Sequence, residues 1–116
     1  MLSRSSRFHG HNSLNWAHKH GNTVRDPRIS LKYAKNPRRQ NFRAAVVVSR
    51  KVSKSAVTRN RIRRRIYEIL RHYSEDFSGG FDLIFMVYKE EVAKMPQAEL
   101  DALIKQLLKG AKTLDR

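Results

Sequence analysis

The residues of this chain best suited to chemistry lie in one short run. Arg59-Asn60-Arg61-Ile62-Arg63-Arg64-Arg65 carries five guanidinium groups in seven positions. A guanidinium is a permanent cation with a planar fork of N–H donors, so a dense group of them suits a polyanion with defined phosphate positions. Between Arg50 and Arg71 there are nine Lys or Arg residues against a single acid, Glu68. A helix face that is merely solvated mixes in more glutamate. Pairs such as Arg59 with Arg63 and Arg61 with Arg65 repel at helical spacing by roughly 0.2 to 0.5 kcal/mol each unless a counter-anion lies between them. Composition and pattern together point to nucleic-acid binding.

The other reactive residue types do not assemble into a catalytic set. Hard divalent cations need clustered oxygen ligands. The basic region offers only Asp26 and Glu68, and Asp76, Asp82, Glu90 and Glu91 farther along show no convergent spacing. Five histidines, His9, His11, His18, His20 and His72, include two His-x-His pairs. A strand would put both rings of such a pair on one side, but His18 and His20 fall in a predicted helix, where they diverge by about 160°. They are read as RNA contacts or surface polarity. No glycine-rich phosphate loop or nucleophile motif is present. The sequence therefore predicts no catalytic residue and no metal site in the chain itself; if it takes part in catalysis, another molecule supplies the chemistry.

At 116 residues the chain has room for one domain with a single core. Its net charge of +15 is uneven, with +9 in residues 1–43, +8 in 44–73 and −2 in 74–116. The polyanion-binding surface belongs to the first two thirds. No apolar run approaches the length of about 18 needed to span a bilayer, and residues 1–10 lack a hydrophobic signal core, so neither a membrane span nor a signal peptide is predicted. A cytoplasmic location follows as the expectation. The absence of cysteine excludes disulfides and thiolate chemistry.

Elements that position the arginine run can be read from periodicity. Residues 1–10 look like a flexible basic arm, and residues 11–116 form the domain. Ser13 can cap a short helix through His20, closed by Gly21. Past Pro27, Ile29, Leu31 and Tyr33 alternate with Arg28, Ser30 and Lys32, so one side of a strand packs and the other stays wet and basic. Residues 36–41 read as a turn, and residues 42–49 as an apolar strand. Ser55 is the expected N-cap of a helix opening at Ala56, with Ile62, Ile66, Ile69, Leu70 and Tyr73 on one stripe. Arg64 and Arg71 then project almost opposite the stripe, Asn60, Arg61, Arg63, Arg65 and Glu68 flank it, and Arg59 sits near its edge. Gly79-Gly80 breaks the chain before a third apolar strand at residues 81–88. Two near-continuous apolar strands joined by a long amphipathic helix suggest a parallel pair. Pro96 starts a last helix, with Leu100, Leu103, Ile104, Leu107, Leu108 and Ala111 on its stripe. The predicted order is αβββαβα, the first strand being very short if present, in an α+β fold.

Ser49-Arg50-Lys51-Val52 followed by Val57-Thr58-Arg59-Asn60-Arg61-Ile62-Arg63-Arg64 resembles the signature of the bacterial ribonuclease P protein component, the small basic subunit of a tRNA-maturing ribozyme. Lys19-His20-Gly21, the strand at 29–33, the Val-rich strand and Gly80-Phe81-Asp82 extend the likeness over most of the chain. The resemblance implies a two-layer αβββαβα sandwich, similar to a domain of a small-subunit ribosomal protein. It also implies a left-handed crossover between the parallel strands, where the general rule gives a right-handed one in about 98 per cent of cases.

The resemblance further implies surfaces and partners. Ser49, Arg50, Lys51, Lys54, Arg59, Asn60, Arg61, Arg63, Arg64 and Arg65 would dock on the catalytic RNA. Leu14, His18, Lys32 and Tyr33 would line a cleft for the single-stranded 5′ leader of precursor tRNA. Hydrolysis would be carried out by the RNA with its bound Mg2+, and no small molecule would be a substrate. The family usually has Phe at the two cleft-facing positions that are Leu14 and His18 here; base stacking is worth about 1 to 3 kcal/mol per base, and leucine gives part of it up. Trp16 points away from Leu14 and reads as a core or capping contact. A ribosomal or other structural RNA-binding protein is the alternative reading. A DNA-binding helix-turn-helix is disfavoured, because strands surround the arginine helix and no short helix precedes it.

Overall fold

Residues 81–87, Phe-Asp-Leu-Ile-Phe-Met-Val, are apolar on both faces of a strand apart from Asp82, and such a strand must have neighbours on each side. The computed structural model, which describes residues 22–35, 42–77 and 79–111, places this strand inside a four-stranded sheet. The strands are β1 (Asn22–Val24), β2 (Ile29–Lys35), β3 (Arg43–Val48) and β4 (Phe81–Val87), in the spatial order β1-β2-β4-β3. β1 with β2 and β2 with β4 are antiparallel, whereas β3 and β4 run parallel in the register Arg43 to Asp82 through Val48 to Val87. The expected parallel pair is therefore present, connected by helix α1 (Ala56–His72). After β4, a 3-10 turn at Glu90–Ala93 leads to helix α2 (Gln97–Gly110).

The core lies on one face of the sheet. Alternate residues of the strands, Ile29 and Leu31, Ala44, Val46 and Val48, and Leu83, Phe85 and Val87, form a single buried cluster with Ile62, Ile66, Ile69 and Leu70 of α1 and Leu100, Leu103, Ile104, Leu107 and Leu108 of α2. Both helices thus cover the same face, giving the two-layer α+β architecture. Each fully buried isoleucine or leucine of α1 contributes roughly 1.5 to 3 kcal/mol from the area it removes from water. The opposite face carries a smaller cluster of Ala45 and Ile84 with Met86 beside it.

Ser55 caps α1 as the sequence predicts, its Oγ accepting from the Thr58 N–H at 3.2 Å. Two expectations change. Ser30, read as solvent-facing, is 4% exposed, on the same sheet face as the buried Ala45 and Ile84. The first strand, for which the sequence supplied no residues, is only Asn22-Thr23-Val24, too short for any period to show. The predicted first helix, the basic arm and the turn at 36–41 lie outside the described residues. No helix among the described residues is long and apolar enough to cross a membrane.

Candidate nucleic-acid interface

The link from β3 into α1 folds back on itself. The Ser49 carbonyl accepts from the Val52 N–H at 3.1 Å and the Ser53 N–H at 3.3 Å, and the buried Ser53 hydroxyl accepts from the Ser55 N–H at 3.3 Å. This tight path leaves Ser49, Arg50, Lys51 and Lys54 exposed around the start of α1. A cationic collar therefore surrounds the N-terminal end of the helix, where free backbone amides also favour anions.

The five arginines of the run at 59–65 are not equivalent. Arg59 donates to the Ser53 carbonyl at 2.9 Å, closing the link onto the helix. Arg63 donates to Asn60 Oδ1 at 2.8 Å and reaches the Val48 carbonyl at 3.5 Å, on the β3 side. Arg65 turns to the other side and donates to the main-chain oxygens of Val92, at 2.8 Å, and Met95, with Gln97 Oε1 at 3.4 Å. Partial burial, and then the charge of Arg61, push the Arg65 guanidinium below its ordinary value. Arg61 and Arg64 are exposed and make no hydrogen bond or ion pair with any described residue. Three of the signature guanidiniums brace the fold, and two keep their donors for something else.

Between α1 and the start of α2 lies an open hollow of about 360 Å³, lined by Arg61, Arg64, Arg65, Glu68 and Gln97. Glu68 is held by Arg71 one turn later, whose Nε lies 2.9 Å from its Oε1, and this contact is the largest of the causes that lower the Glu68 carboxyl to about 2. On the other side of Arg61 a second hollow of about 240 Å³ is lined by Thr58, Arg61, Glu90, Glu91, Ala93 and Lys94. Sequence reading missed Gln97, Glu90 and Glu91 as neighbours of the arginine helix. No local signal could have found them, since they come after β4 and meet α1 only through the packing of the core.

Of the four residues grouped as a leader cleft, the two described ones, Lys32 and Tyr33, lie on opposite faces of β2. Leu14 and His18 lie outside the described residues. Tyr33 packs against the main core cluster on the helix-covered face, whereas Lys32 stands on the opposite face, paired across the sheet with Thr23 and Ile84. Strand alternation forces this separation of Lys32 from Tyr33. On that face Val47 is 46% exposed, and Asp82, at the start of β4, is neutralised by Arg43 of β3 through two contacts of 2.9 Å.

The Ribonuclease P family model matches residues 2–112 of the chain. A ribonuclease P protein component from Chloroflexus aurantiacus (strain ATCC 29366 / DSM 635 / J-10-fl) is 33% identical over 110 residues, which cover 95% of this chain and 80% of that protein. One from Pseudanabaena sp. (strain PCC 6903) is 32% identical over 115 residues, covering 98% and 97%. A third, from Prochlorococcus marinus (strain MIT 9312), is 39% identical over 80 residues, and that match spans 60% of this chain and 62% of the relative. Among solved structures, the RNase P protein of Staphylococcus aureus superposes with a TM-score of 0.83 at 23% identity, covering 95% of this chain and 98% of that one. The RNase P protein of Thermotoga maritima gives 0.74 at 24% identity, covering 91% and 94%. These structural likenesses agree with the sheet order and the helix-covered face described above.

Proposed function

This chain belongs to the Ribonuclease P family, and from that premise we propose that it is the protein subunit of ribonuclease P, binding the catalytic RNA and the 5′ leader of precursor tRNA so that the leader is removed and the mature tRNA 5′ end is formed. The observation that carries the reading is the state of Arg61 and Arg64. They project from a helix bearing the family signature, beside the collar of Arg50, Lys51 and Lys54, with their donors engaged by no described residue. Guanidinium forks match phosphate oxygens, and the surrounding charge releases counterions from a folded RNA.

In this reading the chain binds and orients, and hydrolysis belongs to the RNA partner with its magnesium. Among the described residues no three His, Asp or Glu side chains come together. The chain's own residues act by position: Arg61 and Arg64 at the crest of α1, Arg50, Lys51 and Lys54 at its start, and Arg59, Arg63 and Arg65 holding that helix in place. Lys32, on the sheet face away from α1 and α2, is proposed for the leader, together with Leu14, His18 and Tyr33. The subunit would work in the cytoplasm, where tRNA precursors are made.

The purified chain should restore cleavage of precursor tRNA by the cognate catalytic RNA at low magnesium. No stimulation under those conditions overturns the proposal. A ribosomal or other structural RNA-binding protein is not favoured, because the family match runs over residues 2–112 rather than over the arginine helix alone.

A further inference from the structure

The hollow between α1 and the first turn of α2 is lined almost wholly by hydrogen-bond donors. Arg61 and Arg64 contribute guanidiniums that no described residue engages. Gln97 Oε1 lies 3.4 Å from Arg65 Nη2, and because a guanidinium can only donate, the amide is oriented with its oxygen on Arg65 and its Nε2 donors uncommitted. Glu68 is the one acid in the lining, and its charge is paired by Arg71 through Oε1. A hollow with three guanidiniums, two of them engaged by no described residue, a neutral amide donor and a single, ion-paired carboxylate selects an oxyanion.

We propose that this hollow grips one backbone phosphate of the catalytic RNA, with Arg61 and Arg64 supplying the charge and Gln97 of α2 supplying a neutral donor to a non-bridging oxygen. The inference rests on the RNA-binding reading above and adds a second element to it: α2, from the acidic last third of the chain, takes part in the contact. Charge also decides which of the two hollows is used. The neighbouring one carries Glu90 and Glu91, which repel a phosphate, whereas the Gln97 side has its only acid paired. Arg65 contributes by anchoring the start of α2 through the Val92 and Met95 carbonyls, so that the Gln97 amide faces α1.

The test is a salt series of equilibrium binding between the full-length chain and its cognate catalytic RNA. Gln97→Ala should raise Kd about ten-fold at fixed salt, as for a lost hydrogen bond to a charged group, while the slope of log K against log salt stays unchanged because no counterion-releasing charge is removed. Arg64→Ala should raise Kd and lower the slope by roughly 0.7 to 0.9. Gln97→Glu, which keeps the size of the side chain and replaces the donor by a carboxylate, should weaken binding further than Gln97→Ala. If both Gln97 variants bind within two-fold of the parent while Arg64→Ala keeps its effect, the phosphate grip is wrong and the RNA-binding function stands. If the parent chain itself does not bind the catalytic RNA, the function and the inference fall together.

Discussion

Arg65 donates to the main-chain oxygen of Val92 at 2.8 Å, so the guanidinium that ends the arginine run is spent on the fold rather than displayed. The segment it holds also buries Val92, Ala93 and Met95 in the cluster shared with α1, and it is this segment that sets where α2 begins.

That difference in use separates Arg65 from Arg64 in stability. Arg65→Ala leaves the Val92 and Met95 carbonyls short of a partner and should cost about 2 kcal/mol. Arg64→Ala removes an exposed, unengaged side chain and should change stability by less than about 0.5 kcal/mol. Urea denaturation of the two variants decides it, and equal losses would show that Arg65 is not a brace.

Neutralising Arg61 and Arg64 together should weaken binding of the catalytic RNA and flatten its salt dependence, by roughly 0.7 to 0.9 in slope per lost phosphate contact. Filter binding across a range of ionic strength measures this directly. An unchanged slope would reduce both side chains to solvated surface.

Asp82 is 2% exposed, and its charge is matched by Arg43 from the adjacent parallel strand. Arg43→Met removes this ion pair from a nearly buried carboxylate and should cost roughly 1 to 3 kcal/mol. The double change Arg43→Met with Asp82→Leu should recover much of the loss, because the buried charge goes together with the guanidinium that paired it. A double variant as unstable as Arg43→Met alone would count against a pairwise role.

Tyr73, at the end of α1, donates its hydroxyl to Asp101 of α2 at 2.6 Å. Burial, then this hydrogen bond, push the phenol up to about 12. An unfolded tyrosine titrates near 10, so the folded state favours the neutral phenol; its stabilisation is fully present below about pH 10 and is lost as pH rises towards 12. Tyr73→Phe should cost about 1 kcal/mol at neutral pH and remove that part of the alkaline loss. Denaturation midpoints at pH 8 and pH 11 test the sign, and parallel declines in both proteins would contradict it.

Leader recognition gives a separate readout. His18→Ala and Lys32→Ala should each reduce the preference for precursor over mature tRNA, measured as the ratio of their dissociation constants with the assembled ribonucleoprotein. A loss shared equally by the two substrates would place these residues outside the leader path.

Much of this fold is legible along the chain. The stripe Ile62, Ile66, Ile69 and Leu70 is a local periodic signal, Ser55 is a local capping signal, and the apolar run of β4 announces a strand with neighbours on both sides. β1 was not assigned because three residues cannot display a period. Lys32 and Tyr33, grouped by the resemblance, fall on opposite faces of β2, because a resemblance places residues in a region whereas strand alternation places them on faces.

The arginine run shows the same division within one helix. Its sequence determined the charge, the helix and the side turned to the core, since each depends on residues within a few turns of one another. Only the tertiary structure decided how the five guanidiniums divide their work. Ser53, Val48 and Val92 bring their carbonyls to Arg59, Arg63 and Arg65 from three different segments, and Gln97 arrives beside Arg61 and Arg64 because α1 and α2 are packed on one face of one sheet. Hydrogen bonds act over about 3 Å, so which donors are consumed and which remain free is settled by where distant segments come to rest.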